Sequence, residues 1–246
     1  MKKRTVRVYP AFAGHICTGK DTIIAELINR KNLEKIIHKE KGELVIQLPE
    51  AVNTDQAVLA EYYRNMKANT ANFEFLTLNT RIILARSIEN YSGIVIGNRY
   101  IPEARYTFVE HNLREAAFKN VNPYLTNADV GIYDLMWRTA LDKGLEIPDL
   151  VIYLYVTDPD ILIARNKKRG IAAEQNIPSE YMRSLAPYFE RFRENFAAIH
   201  EGYRLVTPEL LAIDTTRDID TDPKFLDEVT AQCEEAIKKI YNKKNI

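Results

Sequence analysis

The residues with the clearest chemical capacity are Gly14-His15-Ile16-Cys17-Thr18-Gly19-Lys20-Asp21. The spacing G-x-x-x-x-G-K is that of a phosphate-cradling P-loop. Its glycines let the backbone wrap an anion so that several N–H groups point inward. The helix that follows adds its positive N-terminal end, and the lysine reaches the outer phosphates. These eight residues, with Thr22 after them, are therefore the predicted phosphate site. The last position departs from the pattern, because Asp21 stands where a hydroxyl usually ligates magnesium. Thr22 does not replace that hydroxyl, since one residue turns a helix by about 100°. Asp21 either coordinates magnesium directly or repels the phosphates. Without a metal between them, like charges in a partly desolvated site favour repulsion.

The elements that must position these groups are legible as alternating patterns. Apolar runs at 6–12, 44–48, 93–97, 150–156 and 210–213 read as strands, and the stretches between them carry helical periodicity. This alternation predicts an α/β fold, a parallel sheet with helices on both faces. Pro10 is awkward inside the first strand, because it has no N–H for a ladder. A helix over 73–88 places Glu74 and Arg81 on one face, two turns apart. Asn127 or Asp129 is expected to cap a helix that reaches Lys143 and ends at Gly144. Asp158 is expected to cap the helix that ends at Arg165-Asn166-Lys167-Lys168-Arg169-Gly170. Further helices are expected over 178–200 and 222–241. The P-loop, Glu50, Arg99 and Asp214 each fall just beyond the C-terminal end of a strand. In open parallel sheets that edge binds ligands.

Bulk properties narrow the function classes. The chain has 246 residues and a formal net charge of zero. That length suits one α/β domain or at most two small ones. Neutral balance gives no electrostatic reason to expect a nucleic acid or an anionic membrane as partner. Cys17 and Cys233 are the only cysteines and lie far apart, which fits a reducing compartment better than a disulfide framework. His15, His38, His111 and His200 are scattered and read as ordinary surface or core residues rather than as a metal site. No apolar run approaches membrane-spanning length, so direct membrane insertion is not expected. The basic start runs straight into strand-like sequence without an apolar signal core, and a cytoplasmic location is the expectation.

Taken together, these motifs resemble the deoxynucleoside kinases, including the bacterial deoxyadenosine and deoxyguanosine kinases. The resemblance runs from the P-loop to the fifth strand. It implies a P-loop kinase fold, with a five-stranded parallel sheet flanked by helices. One domain over 1–246 and a lid near 165–177 are expected, usually in a homodimer. It also implies phosphorylation of a deoxynucleoside 5′-hydroxyl by ATP with Mg2+, in nucleotide salvage. In Pro49-Glu50, Glu50 matches the family's general base, which takes the hydroxyl proton as the oxygen attacks the γ-phosphate. Tyr62-Tyr63 resembles the sugar-binding segment, with Tyr63 on the 3′-hydroxyl. Glu74 stands where the family has a base-reading Gln, supported by Arg81. An ionised carboxylate accepts only, so Glu74 suits guanine N1–H and N2–H2, with Arg81 donating to O6 or N7. The alternative is a surface salt pair between the two. In Asn98-Arg99-Tyr100, Arg99 keeps the charge that steadies the phosphoryl group. Asn98 lacks the family's carboxylate. Arg105-Tyr106 also matches, with Ala104 in place of an Asp. Arg165 and Arg169 match the lid arginines that close over ATP. Glu174-Gln175-Asn176-Ile177-Pro178 matches the segment after them, with Glu174 on the sugar. Ile171 replaces a further lid arginine.

Asp21, Asn98 and Ala104 keep a second class in view. A kinase-fold accessory subunit of mitochondrial respiratory complex I has a similar loop, including the Ile16-Cys17 pair, and lacks the hydroxyl after the lysine. Under that reading the chain is a non-catalytic subunit of a large respiratory complex on the matrix side of the inner membrane, retaining a nucleotide. Nucleoside monophosphate kinases share the loop and an Arg-Tyr after the third strand. Glu50 and the Glu174-Gln175 pattern argue against them.

Overall fold

The computed structural model describes residues 7–51, 56–118, 124–171, 174 and 177–245. Among these residues six strands pair in parallel: β1 (Arg7–Val8), β2 (Pro10–Gly14), β3 (Leu44–Gln47), β4 (Gly93–Asn98), β5 (Leu150–Tyr155) and β6 (Glu209–Asp214). β4 lies between β3 and the β1–β2 segment, and β5 follows on the other side with β6 beyond it. β1 and β2 act as one interrupted strand. Arg7 lies opposite Gly93 and Ala11 opposite Gly97, which is a single register along β4. The expected five-stranded parallel sheet therefore holds, with its first strand interrupted just before Pro10. Tyr9 directs its N–H to the Asp149 carboxylate at 2.9 Å, and Asp149 returns its own N–H to Tyr9 O at 2.9 Å. A proline opening a strand just after such a break forfeits a single ladder donor.

Strand residues alternate between two buried layers. Phe12, Ile94, Ile96, Ile152 and Leu154 face one layer, while Ala11, Ala13, Val95, Val151 and Tyr153 face the other. Burial on both faces is why these strands read as unbroken apolar runs. Ten helices accompany them among the described residues: α1 (Lys20–Arg30), α2 (Gln56–Arg64), α3 (Met66–Ser87), α4 (Ile101–Ala104), α5 (Glu110–Phe118), α6 (Asn127–Asp142), α7 (Pro159–Arg169), α8 (Ser179–Glu194), α9 (Phe196–Gly202) and α10 (Pro223–Lys244). α1 and α10 cover the first layer through Ile23, Ile24, Leu27, Val229, Cys233 and Ile237. α3, α6 and α8 cover the second through Leu78, Ile82, Trp137, Leu185 and Phe189.

Several boundaries differ from expectation for local reasons. α3 starts at Met66 rather than near 73, because the Asn65 side chain accepts the Ala68 N–H at 3.3 Å and caps the helix there. Neither Asn127 nor Asp129 caps α6. Thr126 does so, and Asp129 completes a capping box by accepting the Thr126 N–H at 2.8 Å. The helix expected over 178–200 breaks at Asn195 into α8 and α9. Asp158 caps α7 by accepting the Asp160 N–H at 2.9 Å, and Gly170 ends it in the left-handed region. One π-helical turn, Arg105–Val109, joins α4 to α5. No described helix is long and apolar enough to cross a membrane.

Candidate active site

The loop between β2 and α1 begins and ends on glycines that no other residue replaces without strain. Gly14 has φ 131°, and a Cβ there would lie 2.1 Å from Leu154 O. Gly19 has φ 92°, and its Cβ would meet Ile219 Cδ1 at 2.0 Å. Gly19 precedes α1 without a side-chain cap, so the first N–H groups of the helix are left to a ligand. Lys20 is buried. Its Nζ donates to Gly14 O at 3.0 Å and to His15 O at 2.7 Å. It touches no carboxylate within ion-pair distance among the described residues. Burial, with Arg99 nearby, lowers its pKa to about 8, and Glu103, Glu50 and Asp21 oppose that shift. A buried cation held only by neutral oxygens is a site for an anion.

A cavity of about 270 Å³ opens onto this loop. Ile16, Cys17, Gly19, Lys20, Asp21, Thr22, Glu50, Tyr63, Glu74, Arg81, Arg99, Arg165, Arg169 and Glu174 all line it, so the fold brings together most of the residues singled out from sequence. Gly14, His15 and Thr18 belong to the loop but do not line the cavity. Thr18 Oγ1 donates to His15 O at 3.0 Å. His15 packs with Nε2 3.1 Å from Met182 O, and burial pushes its pKa down to about 3, so it stays neutral.

Asp21 is held from two sides. Its Oδ1 accepts from Asn98 Nδ2 at 2.7 Å and its Oδ2 from Arg169 Nη2 at 2.9 Å. Arg169 also reaches Glu174 Oε2 at 3.5 Å. Thr22 turns away from the loop, with its hydroxyl 3.0 Å from Asp220 Oδ1. Arg165 donates through Nη2 to the carbonyls of Thr215, Thr216 and Arg217 at 2.8, 3.0 and 3.0 Å. Its Nε and Nη1 are buried without hydrogen-bond partners, and Nε stands 4.0 Å from Asp218 Oδ1. Of the expected lid, residues 172, 173, 175 and 176, Gln175 included, lie outside the described residues.

Arg99 adopts a left-handed backbone, φ 64°, directly after β4. Such backbone strain at a non-glycine residue persists only where the surroundings over-determine it. Here Nε donates to Glu50 Oε1 at 3.0 Å, Nη1 to Glu103 Oε1 at 2.9 Å, and the guanidinium stands 5.0 Å from the Phe108 ring centroid.

Away from the loop, Tyr62, Phe73 and Tyr181 form an aromatic wall in which Tyr62 and Phe73 stack at 4.1 Å. Glu74 is buried, accepts from Asn112 Nδ2 at 3.1 Å, and has its pKa raised to about 7 by burial, against the pull of Arg81 and Asn112. Arg81 is buried too, with Nε and Nη1 unpartnered. The two residues make no ion pair within 4 Å and are not a surface pair. Arg105 does not line the cavity. Asp134 holds it through two contacts at 2.6 and 3.1 Å, and Glu110 through one at 2.8 Å. Asp214 is likewise absent from the lining and accepts the Thr216 N–H at 2.8 Å. Phe108, Lys168, Asp218 and Asp220 line the cavity without having been singled out. Glu103 carries no motif, and because Arg99 precedes α4 with a left-handed backbone, helical spacing gave no signal for their pairing.

A parallel sheet whose first strand passes through a glycine-lysine loop into the first helix is the P-loop class of α/β proteins. The deoxynucleoside kinase family profile matches residues 11–238. The chain belongs to that family. No curated protein matches it. Among solved structures, M. mycoides deoxyadenosine kinase with bound dATP is 21% identical at a TM-score of 0.65, with 90% of this chain and 98% of that one covered. The same enzyme with the products dCMP and a flexible dCDP is 19% identical at a TM-score of 0.64, covering 95% and 100%. Its dCTP complex is 22% identical at a TM-score of 0.61, covering 90% and 97%. These likenesses establish the fold.

Proposed function

We propose that this protein transfers the γ-phosphoryl group of ATP to the 5′-hydroxyl of a deoxynucleoside, with a preference for purines. The observation that carries this reading is one cavity lined by Lys20, Glu50, Arg99, Glu74 and Arg81 together. Lys20, the loop amides and Arg165 hold the phosphates. Glu50 accepts the hydroxyl proton. Arg99 and Arg169 balance charge that develops on the transferring group. Tyr63 and Glu174 hold the sugar. Glu74 and Arg81 read the base edge, and Arg105 braces α6 beside it. Among the described residues there is no cluster of three metal-binding side chains. Magnesium fits here on one or two carboxylates plus phosphate oxygens, and Asp21 is the residue that would hold it, adding charge neutralisation. We read the chain as one domain with a lid near 165–177, acting as a cytoplasmic homodimer.

The test is phosphorylation of each deoxynucleoside by purified protein with ATP and Mg2+. Turnover of deoxyguanosine above thymidine is expected. A preference for thymidine overturns the purine assignment, and no turnover of any deoxynucleoside overturns the activity. One observation favours a second reading, a non-catalytic kinase-fold subunit of respiratory complex I. Asp21 occupies the hydroxyl position and ties down Arg169. Co-purification with a large membrane complex, without turnover, would support it.

A further inference from the structure

Glu103 is fully buried on α4, with its carboxylate under the phosphate loop. A single oxygen, Oε1, accepts the Gly14 N–H at 2.8 Å and Arg99 Nη1 at 2.9 Å. Arg99 Nη1 also donates to Gly14 O at 3.0 Å. Glu103, Arg99 and the first loop glycine thus close a three-membered hydrogen-bonded unit that joins the end of β2 to the end of β4. Glu50 fixes the Nε side of the same guanidinium.

A buried carboxylate must be matched by charge and donors, or its burial is strongly unfavourable. Glu103 is matched on Oε1 alone, by the Gly14 N–H and by Arg99, its one charged partner, while Oε2 is buried without a hydrogen-bond partner. The left-handed backbone of Arg99 needs such restraint. We propose that Glu103 is a positioning residue that locks Arg99 and Gly14 into one rigid unit, so that the charge facing the phosphoryl group is set before nucleotide binds. The role in turnover rests on the kinase reading above, whereas the locking itself does not.

Two variants and two readouts separate these. Glu103→Gln keeps an oxygen for the Gly14 N–H but removes the charge opposite Arg99. ATP affinity by calorimetry and KM should stay within about threefold of the parent, while kcat falls about tenfold or more, since the loss is in transition-state charge stabilisation. Glu103→Ala removes both contacts and should also weaken ATP binding. The second readout is exchange of the Arg99 guanidinium N–H signals by NMR, assigned through their loss in Arg99→Lys. Exchange should quicken about tenfold in Glu103→Gln, as expected where a charge-assisted hydrogen bond is lost. Unchanged exchange in both variants overturns the proposal, as does full kcat in Glu103→Gln. If the parent phosphorylates nothing, the kinase reading fails while the exchange rates still decide whether Glu103 locks Arg99.

Discussion

Asn98 donates its side-chain amide to Asp21 across 2.7 Å, although the two residues are 77 positions apart in the chain. Resemblance places an acid at position 98 and a hydroxyl at position 21. In this protein the carboxylate is at 21 and the neutral partner at 98. The two departures are therefore one exchange in space, which keeps one carboxylate within this pair of positions. Asp21→Asn should bind ATP several-fold more tightly than the parent in a chelating buffer, because like-charge repulsion is removed. The gain in affinity on adding Mg2+ should shrink. Calorimetry with and without the metal checks both, and an undiminished gain would exclude Asp21 as a ligand.

Burial lowers the Lys20 pKa to about 8, from an ordinary value of 10.5. Its charge, and with it phosphate affinity, is present below that value and lost as pH rises through it. Affinity for ATP should decline between about pH 7 and 9. Bound phosphate favours the charged lysine, so binding near pH 8 should take up a proton. Comparing binding enthalpies in buffers of different ionisation enthalpy measures that uptake. A pH-independent affinity with no proton uptake would contradict it.

Glu74 has its pKa raised to about 7, from 4.5. The folded state therefore binds this proton more tightly than the unfolded chain. Stability is unaffected below about pH 4.5, declines as pH rises towards 7, and carries the full penalty above it. Glu74→Gln should stabilise the protein at pH 8 by up to about 3 kcal/mol and do little at pH 4.5, read from denaturant curves. The ionised carboxylate accepts only, whereas the neutral acid also donates. The ratio of deoxyguanosine to deoxyadenosine turnover should thus rise from pH 6 to 8 and flatten in the Gln variant.

Between Lys67 and Arg86 the only charged residues of α3 are Glu74 and Arg81, and both are buried. The outer side of α3 exposes Leu76 and Ile83, and neighbouring α6 exposes Ile132 and Leu135, at 45, 58, 51 and 66%. Under the homodimer reading proposed above, these apolar side chains on two packed helices are expected to face a second copy of the chain. Leu76→Glu with Leu135→Glu should give a monomer by sedimentation, with secondary structure intact. An unaltered mass would show that these residues do not join two copies of the chain.

The anion site and the sheet were legible because their signals are local. Glycine spacing, a lysine at the start of a helix, and unbroken apolar strands depend only on near neighbours in the chain. The same holds for Asp158 as a cap and Gly170 as a stop. Thr126 was missed as the cap of α6 because Asn127 and Asp129 are equally good cap residues, and only backbone geometry separates them. Arg105 matched a motif, yet its orientation was set by Asp134, 29 residues away on another helix. The chain by itself determined a P-loop, a parallel sheet and the sheet edge where Glu50 and Arg99 emerge. Tertiary structure alone decided that Glu103 lies under Gly14, 89 residues distant, that Arg169 reaches Asp21, 148 residues distant, and that Glu74 is buried enough to hold its proton near neutrality. Through-space pairing and desolvation arise only when distant segments pack together, and they leave no pattern in the order of residues.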